Sequence, residues 1–234
     1  MHKLNVLFTL TSVSVLLVTA ERFSYTTKIL LQPYNFLRLH EVIQMLFLIL
    51  FTVVILFFIF YEVSGSFTIF TKRKLVWLPL LFIGGVYFYA TGNGVHEMAS
   101  YTLNQYCNVK SLIGVFCNGQ YFNDYYTGNI FYFIGALLML LPVLLTEKRV
   151  SNNSYQKKDV PVTVVNAVIY AFAIFAYAAF DPALVGLVYS VVIFLFSGVL
   201  WLTIRNKYLQ YPVIFYTALT YTIGTIAALL FRFH

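Results

Sequence analysis

Long apolar runs, separated by short polar segments, make up most of this chain. A membrane-spanning helix needs about 20 predominantly apolar residues, and seven runs come close to that length. A sheet in lipid must close into a barrel of shorter segments with alternating polarity, which these uniformly apolar runs do not show. The pattern predicts an all-α polytopic bundle of seven transmembrane helices, a single domain over residues 1–234, with runs at 4–20, 42–61, 75–90, 130–145, 162–180, 183–204 and 213–231.

Composition agrees with a membrane protein. Of the 234 residues, 61% are hydrophobic and 10% are charged, and the mean hydropathy is +0.82. Soluble domains carry about 25% charged residues, so a soluble domain is excluded. The formal net charge of +7 would favour nucleic acid if it lay on one soluble face, but the cations lie between the runs. We therefore expect the lipid bilayer as a partner, and no nucleic acid.

The first run has an alternative interpretation. A lysine precedes an apolar stretch that ends at Ala20, as in a cleaved secretory signal. Serines and threonines also make this run less apolar than the others. We expect a retained helix. Cleavage would leave six helices, and the later topology would be the same in either case.

Basic residues favour one orientation of the bundle. Lysines and arginines concentrate at 72–74, 148–158 and 205–207, and cytoplasmic loops carry such an excess. The segment after the first run is the exception, because it also holds several cations. The distribution predicts a cytoplasmic N-terminus, an extracytoplasmic C-terminus and a long extracytoplasmic loop at about 91–127.

Both cysteines lie in that predicted loop. Cys107 and Cys117 are close in sequence, and an extracytoplasmic compartment permits a disulfide. A metal pair needs further ligands that this spacing does not supply. We predict a structural disulfide, with two free thiols as the alternative.

Histidines next to glutamates mark one predicted membrane edge. His40-Glu41 opens the second run, His96-Glu97 follows the third, and Asp124 precedes the fourth. Ionisable residues at membrane depth are rare and mark functional sites. Two imidazoles with carboxylates suit zinc or another divalent metal. We predict His40, His96 and Asp124 as metal ligands, with Glu97 or Asp124 as the catalytic group that activates a bound water.

Further polar residues at this edge are predicted to line a pocket. If the third helix continues beyond its apolar run, positions four residues apart in the 93–104 segment share a face. The alternative is that these are ordinary helix ends meeting water, with Asp124 as a helix N-cap. The predicted pocket residues are Glu41, Gln44, Asn93, Ser100 and Asn104.

Comparison with known sequence motifs excludes some types of membrane protein. Neither histidine–glutamate pair completes the HExxH zinc signature, because Gln44 and Ser100 occupy the fifth positions. The last run has no lysine for a retinal Schiff base. Histidines and an aspartate near one face are similar to those of seven-helix metal-dependent hydrolases such as alkaline ceramidases. The last run lacks their paired histidines, so we treat this as an analogy of site and not as membership of the family.

The sequence is compatible with two classes of function. The first is a membrane-embedded, metal-assisted hydrolase of a lipid or lipid-like substrate at the outer membrane face. The second is a non-enzymatic membrane protein with a polar ligand site, such as a small transporter, a lipid-binding subunit or an assembly factor. No nucleotide, haem or flavin motif occurs in the sequence, so we expect no cofactor beyond a divalent metal.

The predicted orientation can be tested with reporter fusions. Fusions after Lys74, Lys158 and Lys207 should report a cytoplasmic location, and a fusion near Lys110 should report an external one, because basic loops are retained inside. Opposite results at two or more of these positions would overturn the orientation.

Overall fold

Helices form almost the whole structure. The computed structural model describes residues 2–72, 75–150 and 155–234. Seven of its helices are long and apolar enough to cross a membrane, and no strand occurs among the described residues. The predicted all-α membrane bundle is confirmed. The helices are α1 (Lys3–Arg22), α2 (Leu39–Val63), α3 (Trp77–Tyr106), α4 (Gly114–Arg149), α5 (Val160–Phe180), α6 (Val185–Ile204) and α7 (Pro212–Phe233).

Shorter elements connect or interrupt these helices. Short helical segments occupy Tyr25–Lys28, Thr68–Lys72, Lys157–Asp159 and Arg205–Gln210. Two π-helical segments lie inside longer helices, Ile43–Leu48 in α2 and Asn123–Gly128 in α4. Of the basic segments predicted to be cytoplasmic, residues 73–74 and 151–154 lie outside the described residues.

The predicted long loop at 91–127 is wrong over most of its length. Helix α3 continues to Tyr106 and α4 already begins at Gly114, so the connection is only residues 107–113. At 1.5 Å per residue, the 30 residues of α3 span about 45 Å, more than the roughly 30 Å hydrocarbon core. The apolar run ends at residue 90, but the α3 backbone stays helical to Tyr106. The end of an apolar run therefore did not predict the end of the helix.

The short connection between α3 and α4 contains the predicted disulfide. Cys107 ends α3, Cys117 lies in the first turns of α4, and their sulfur atoms are bonded, with the Cα atoms 5.7 Å apart. The prediction of a structural pair is confirmed. In the chain-entropy account, closing so short a loop stabilises the protein by roughly 2–3 kcal/mol.

Consecutive helices run antiparallel, so the bundle has two chemically different ends. The end that carries the disulfide also holds five of the eight acidic residues, and we call it the disulfide end. The other end holds eight of the 13 lysines and arginines among the described residues, and we call it the basic end. Helix α1 packs within the bundle against α5 and α2, and α7 packs against α5 and α6.

Glycines bring α3 and α4 into backbone contact, the most extensive helix pair in the bundle. A Cβ on Gly92 would lie 2.1 Å from the main-chain nitrogen of Tyr132, and one on Gly135 would lie 2.2 Å from that of Tyr89. Lipid does not drive helices together by hydrophobicity, so close van der Waals contact through small residues is what stabilises such pairs. The two helices therefore depend on these glycines for their spacing.

The matched pair Gly92→Ala and Gly94→Ala tests this contact. Gly92→Ala should destabilise the bundle by about 1–3 kcal/mol or more, because the added methyl group meets backbone that cannot move alone. Gly94→Ala should be tolerated within about 0.5 kcal/mol, since nothing lies within 4 Å of its Cβ position. Thermal unfolding in detergent or nanodiscs measures both, and equal effects would contradict the proposed role.

Candidate functional site

The α3–α4 contact places His96 beside Asp124 at the disulfide end. His96 Nδ1 lies 2.8 Å from Asp124 Oδ1 and 3.1 Å from the main-chain oxygen of the same residue. The contact between His96 Nδ1 and Asp124 Oδ1 is close enough for an ion pair but does not have hydrogen-bond geometry. A proton on Nδ1 would instead be donated to the main-chain oxygen of Asp124. Asp124 is almost fully buried. The sequence-predicted pairing of these two residues in one site is thus present in the structure.

The predicted helix-capping role of Asp124 is wrong. Asp124 lies inside α4, in its π-helical segment, ten residues after Gly114. Because the helix begins earlier than its apolar run, its first-turn N–H groups lie far from this carboxylate. A π-helical turn holds one extra residue and often marks a functional site. In this turn Asp124 faces α3.

His40 lies at the same end but pairs with a different carboxylate. Its Nδ1 atom contacts Glu21 at the end of α1. Glu21 also accepts a hydrogen bond of 3.3 Å from Gln44 Nε2 and bonds from two hydroxyl groups. Glu21 was not among the predicted site residues, although its position at the polar end of the first run was a usable signal.

Glu41 anchors the start of α2. Its carboxylate accepts the main-chain N–H of Arg38 at 3.0 Å and pairs with the guanidinium of the same residue. Arg38 also lies 5.3 Å from the ring centre of Tyr101, a cation–π contact. Glu41 is therefore fully engaged in helix capping, so the helix-end interpretation holds for this residue.

Glu97 and Asn93 form the least satisfied part of the site. They lie one turn apart on α3, and their side chains are only 7% and 6% exposed. The Asn93 amide nitrogen has no hydrogen-bond partner among the described residues, and Glu97 makes no hydrogen bond or ion pair there. Arg22, His40 and His96 interact with Glu97 electrostatically, but without contact.

Two of the predicted pocket residues belong to the projecting end of α3. Asn104 is exposed and donates to the main-chain oxygen of Ser100 at 2.8 Å. Ser100 is half-buried and also receives a weaker contact from the same amide at 3.4 Å. This pair fits the interpretation of a helix end that meets water.

A third group of polar residues at the disulfide end was not predicted. Asp181 Oδ2 accepts from Asn129 Nδ2 at 2.9 Å, and Oδ1 accepts the main-chain N–H of Ala183 at 2.9 Å. Arg232 near the end of α7 donates to main-chain oxygens of Ala178 and Asp181. Burial raises the pKa of Asp181 above its usual range, against the opposing effect of the Ala183 N–H. Asn129 and Arg232 come from other helices, so the sequence alone did not indicate this group.

The predicted metal ligands do not meet in one group. Within residues 2–72, 75–150 and 155–234, no three His, Cys, Asp or Glu side chains are arranged as metal ligands. His96 is with Asp124, and His40 is with Glu21. A divalent metal at these residues stays a prediction.

An open cavity of about 670 Å³ lies near the site but on another face of α3. Its walls come from α3, from the start of α4 and from Phe36 and Met45, and they are mainly apolar. His96, Glu97 and Asp124 are not among its lining residues. The cavity suits an apolar chain rather than a charged group.

The basic end holds buried polar groups that sequence reasoning missed. Glu147, fully buried, accepts the main-chain N–H groups of Val213 at 2.8 Å and Ile214 at 2.7 Å, and so caps α7. Asn5 of α1 donates to the main-chain oxygen of Asp159 at 3.0 Å. Burial raises the pKa of Tyr155, whose hydroxyl also bonds to Asn5. Only the folded structure shows that these residues from distant segments meet.

Comparisons of the chain with protein-family models, with curated protein sequences and with solved structures found no match.

Proposed function

We propose that this integral membrane protein is a small transporter, and that Asn93 and Glu97 bind a small cationic solute near its disulfide end. Glu97 carries the proposal. Of the eight acidic residues, all of them described, it alone makes neither a hydrogen bond nor an ion pair with a described residue. Asn93 presents an unpaired donor one turn away.

The cost of burying a lone carboxylate supports a ligand at Glu97. Removing an ion from water costs several kcal/mol unless a partner replaces the lost hydration, and membrane depth increases that cost. The neighbouring carboxylates at this end all have partners, as in His96–Asp124 and Arg38–Glu41. A cationic solute would give Glu97 the direct contact that these pairs already have.

The two unpaired groups also suggest the chemistry of the solute. Glu97 offers acceptor oxygens for an ammonium group, and the Asn93 amide offers a donor for an oxygen atom. A small organic ammonium compound that carries a hydroxyl or carbonyl oxygen satisfies both. Amino alcohols belong to this class, and ethanolamine is a suitable probe.

We expect Glu97→Gln to weaken solute binding while preserving the fold. Charge-assisted hydrogen bonds contribute about 1.5–3 kcal/mol, so ethanolamine binding by the purified protein should weaken roughly tenfold or more. The melting temperature should stay equal to or rise above that of the wild type, since the substitution removes an unpaired buried charge. Calorimetry and thermal unfolding in nanodiscs measure the two quantities.

Glu62→Gln is the matched control, because Glu62 lies at the basic end and pairs with Lys3 at 3.7 Å. This variant should bind ethanolamine like the wild type. If the wild type binds neither ethanolamine nor methylammonium, or if Glu97→Gln binds as well as the wild type, the proposal is wrong.

The His96–Asp124 pair favours a second candidate, the predicted hydrolase of lipid-like substrates. A carboxylate on Nδ1 orients an imidazole and leaves Nε2 free to act as a base or as a metal ligand. His40 has the same arrangement with Glu21. The apolar cavity on α3 offers room for an acyl chain.

For the hydrolase candidate, we expect purified protein to carry zinc or another divalent metal and to cleave a lipid ester. His40→Ala and His96→Ala should each abolish metal retention, and the double variant should be little worse than either, because residues of one site are non-additive. Elemental analysis and an ester assay decide this. A metal-free wild type in which both substitutions have mild, independent effects would exclude the candidate.

A further inference from the structure

Solute binding at Glu97 makes no use of the open cavity on α3. The volume of this cavity, about 670 Å³, is within the range of roughly 300–1,000 Å³ for pockets that bind one small organic molecule. Its walls come from the second half of α3, from the beginning of α4, and from Phe36 and Met45. We call it the α3 cavity.

The α3 cavity lies at the boundary between hydrocarbon and lipid headgroups. On α3 it extends from Thr91 to Tyr106. About 20 helical residues cross the hydrocarbon core, so a core that begins near Trp77 ends near residue 97. The deeper part of the cavity is therefore at the level of acyl chains, and Tyr106 is at the headgroup level that tyrosines favour.

The α3 cavity is open to the surroundings of the bundle. Two of its lining residues, Met98 and Phe116, are 44% and 57% exposed. The outer surface of a membrane-spanning bundle is in contact with lipid, so a lipid molecule can enter the cavity from the bilayer. The cavity is in this respect continuous with the lipid-facing surface.

The walls of the α3 cavity select against a charged ligand. None of its described lining residues is charged, and burying an ionised group without a partner is costly. Methionine side chains are flexible and adapt to the shape of an apolar ligand. The apolar part of the walls is formed by Phe36, Met45, Val95, Met98, Ala99 and Phe116.

Two amide side chains give the α3 cavity a polar part. Gln120 and Asn123 lie one turn apart on α4, line the cavity and are half-buried. Neither side chain makes a hydrogen bond to another group in the described part of the chain. Each amide has both donor and acceptor atoms, so the pair can bind the hydroxyl and ester groups of a neutral head.

Gly94 leaves room in the α3 cavity. It is a lining residue, and nothing lies within 4 Å of the position that its Cβ would occupy. Gly92, two residues earlier, has the opposite surroundings, because a Cβ there would meet the backbone of α4. One glycine thus serves helix packing, and the other leaves space for a ligand.

We propose that the α3 cavity binds an uncharged lipid with one acyl chain and a hydroxyl-bearing head, such as a monoacylglycerol. The acyl chain lies against the apolar walls, and the head hydrogen-bonds to Gln120 and Asn123. This goes beyond the proposed transport, because Asn93 and Glu97 do not line the cavity. It is also independent of the hydrolase candidate, since no bond of the lipid is cleaved.

Photolabelling of the protein in phosphatidylcholine nanodiscs tests the site. The probe is 1-oleoylglycerol with a diazirine in its acyl chain, and mass spectrometry locates the labelled residues. We expect labels at Met98 and Phe116, because both line the cavity. Unlabelled 1-oleoylglycerol should compete about tenfold better than oleoyl lysophosphatidylcholine, which has the same chain and a charged head.

The matched pair Gly94→Phe and Gly84→Phe tests the space in the cavity. Both glycines are in α3 with nothing within 4 Å of the Cβ position, but only Gly94 lines the cavity. Gly94→Phe should lower labelling about tenfold or more, and Gly84→Phe should label like the wild type. Both variants should melt at or above the wild-type temperature, because phenylalanine has a higher helix propensity than glycine.

Gln120→Met tests the polar part of the cavity. It should weaken competition by 1-oleoylglycerol about three- to tenfold, the usual effect of one lost hydrogen bond. Gln105→Met is the control, because Gln105 is exposed on α3 and does not line the cavity.

Equal labelling of the wild type and Gly94→Phe, or equal competition by 1-oleoylglycerol and oleoyl lysophosphatidylcholine, would overturn the proposal and identify the contact as ordinary bilayer lipid. Because no ethanolamine is present, these outcomes are independent of the result for Glu97.

Discussion

Close backbone contact between α3 and α4 is the constraint on which the rest of the structure depends. Glycines on both helices bring the main chains so near that a methyl group would overlap the neighbouring backbone. This contact fixes how α3 and α4 are aligned along their axes. It thereby places His96 beside Asp124 at one end and Tyr89 beside Tyr132 in the middle. The site and the Tyr89–Tyr132 pair therefore share one structural support, and a change in helix spacing would disturb both.

Both π-helical segments lie towards the disulfide end of the bundle, close to the candidate site. One lies directly after the His40-Glu41 start of α2, and the other contains Asp124 in α4. An extra residue in a helical turn changes the direction of the side chains around it and loosens the main-chain hydrogen-bond ladder. In α4, the main-chain oxygen of Asp124 contacts the imidazole of His96, which belongs to α3.

Charge pairing separates structural groups from the candidate binding groups. Arg38–Glu41, His40–Glu21 and the capping of α7 by Glu147 each satisfy a carboxylate from within the protein. Such groups hold helix ends together, and removing one partner would leave an uncompensated charge. Glu97 differs because the fold surrounds it with charges without giving it a contact. That difference, rather than the number of histidines, is the basis of the proposed ligand site.

The sequence by itself determined the class of fold, the number of membrane helices and the cysteine pairing. Length and apolarity of the runs are local properties, and they decide whether a segment prefers lipid to water. The same reasoning identified His96, Asp124, Asn93 and Glu97 as residues of one edge, because helix ends alternate between the two membrane faces.

Only the tertiary structure decided which of these residues meet. Hydropathy ended α3 too early, because a helix continues for as long as its backbone hydrogen bonds do, whatever the polarity of its side chains. His40 pairs with Glu21 of α1 and His96 pairs with Asp124 of α4, so the two histidines do not share a partner. Contacts of this kind depend on the spacing and rotation of packed helices, which no single segment of the chain encodes.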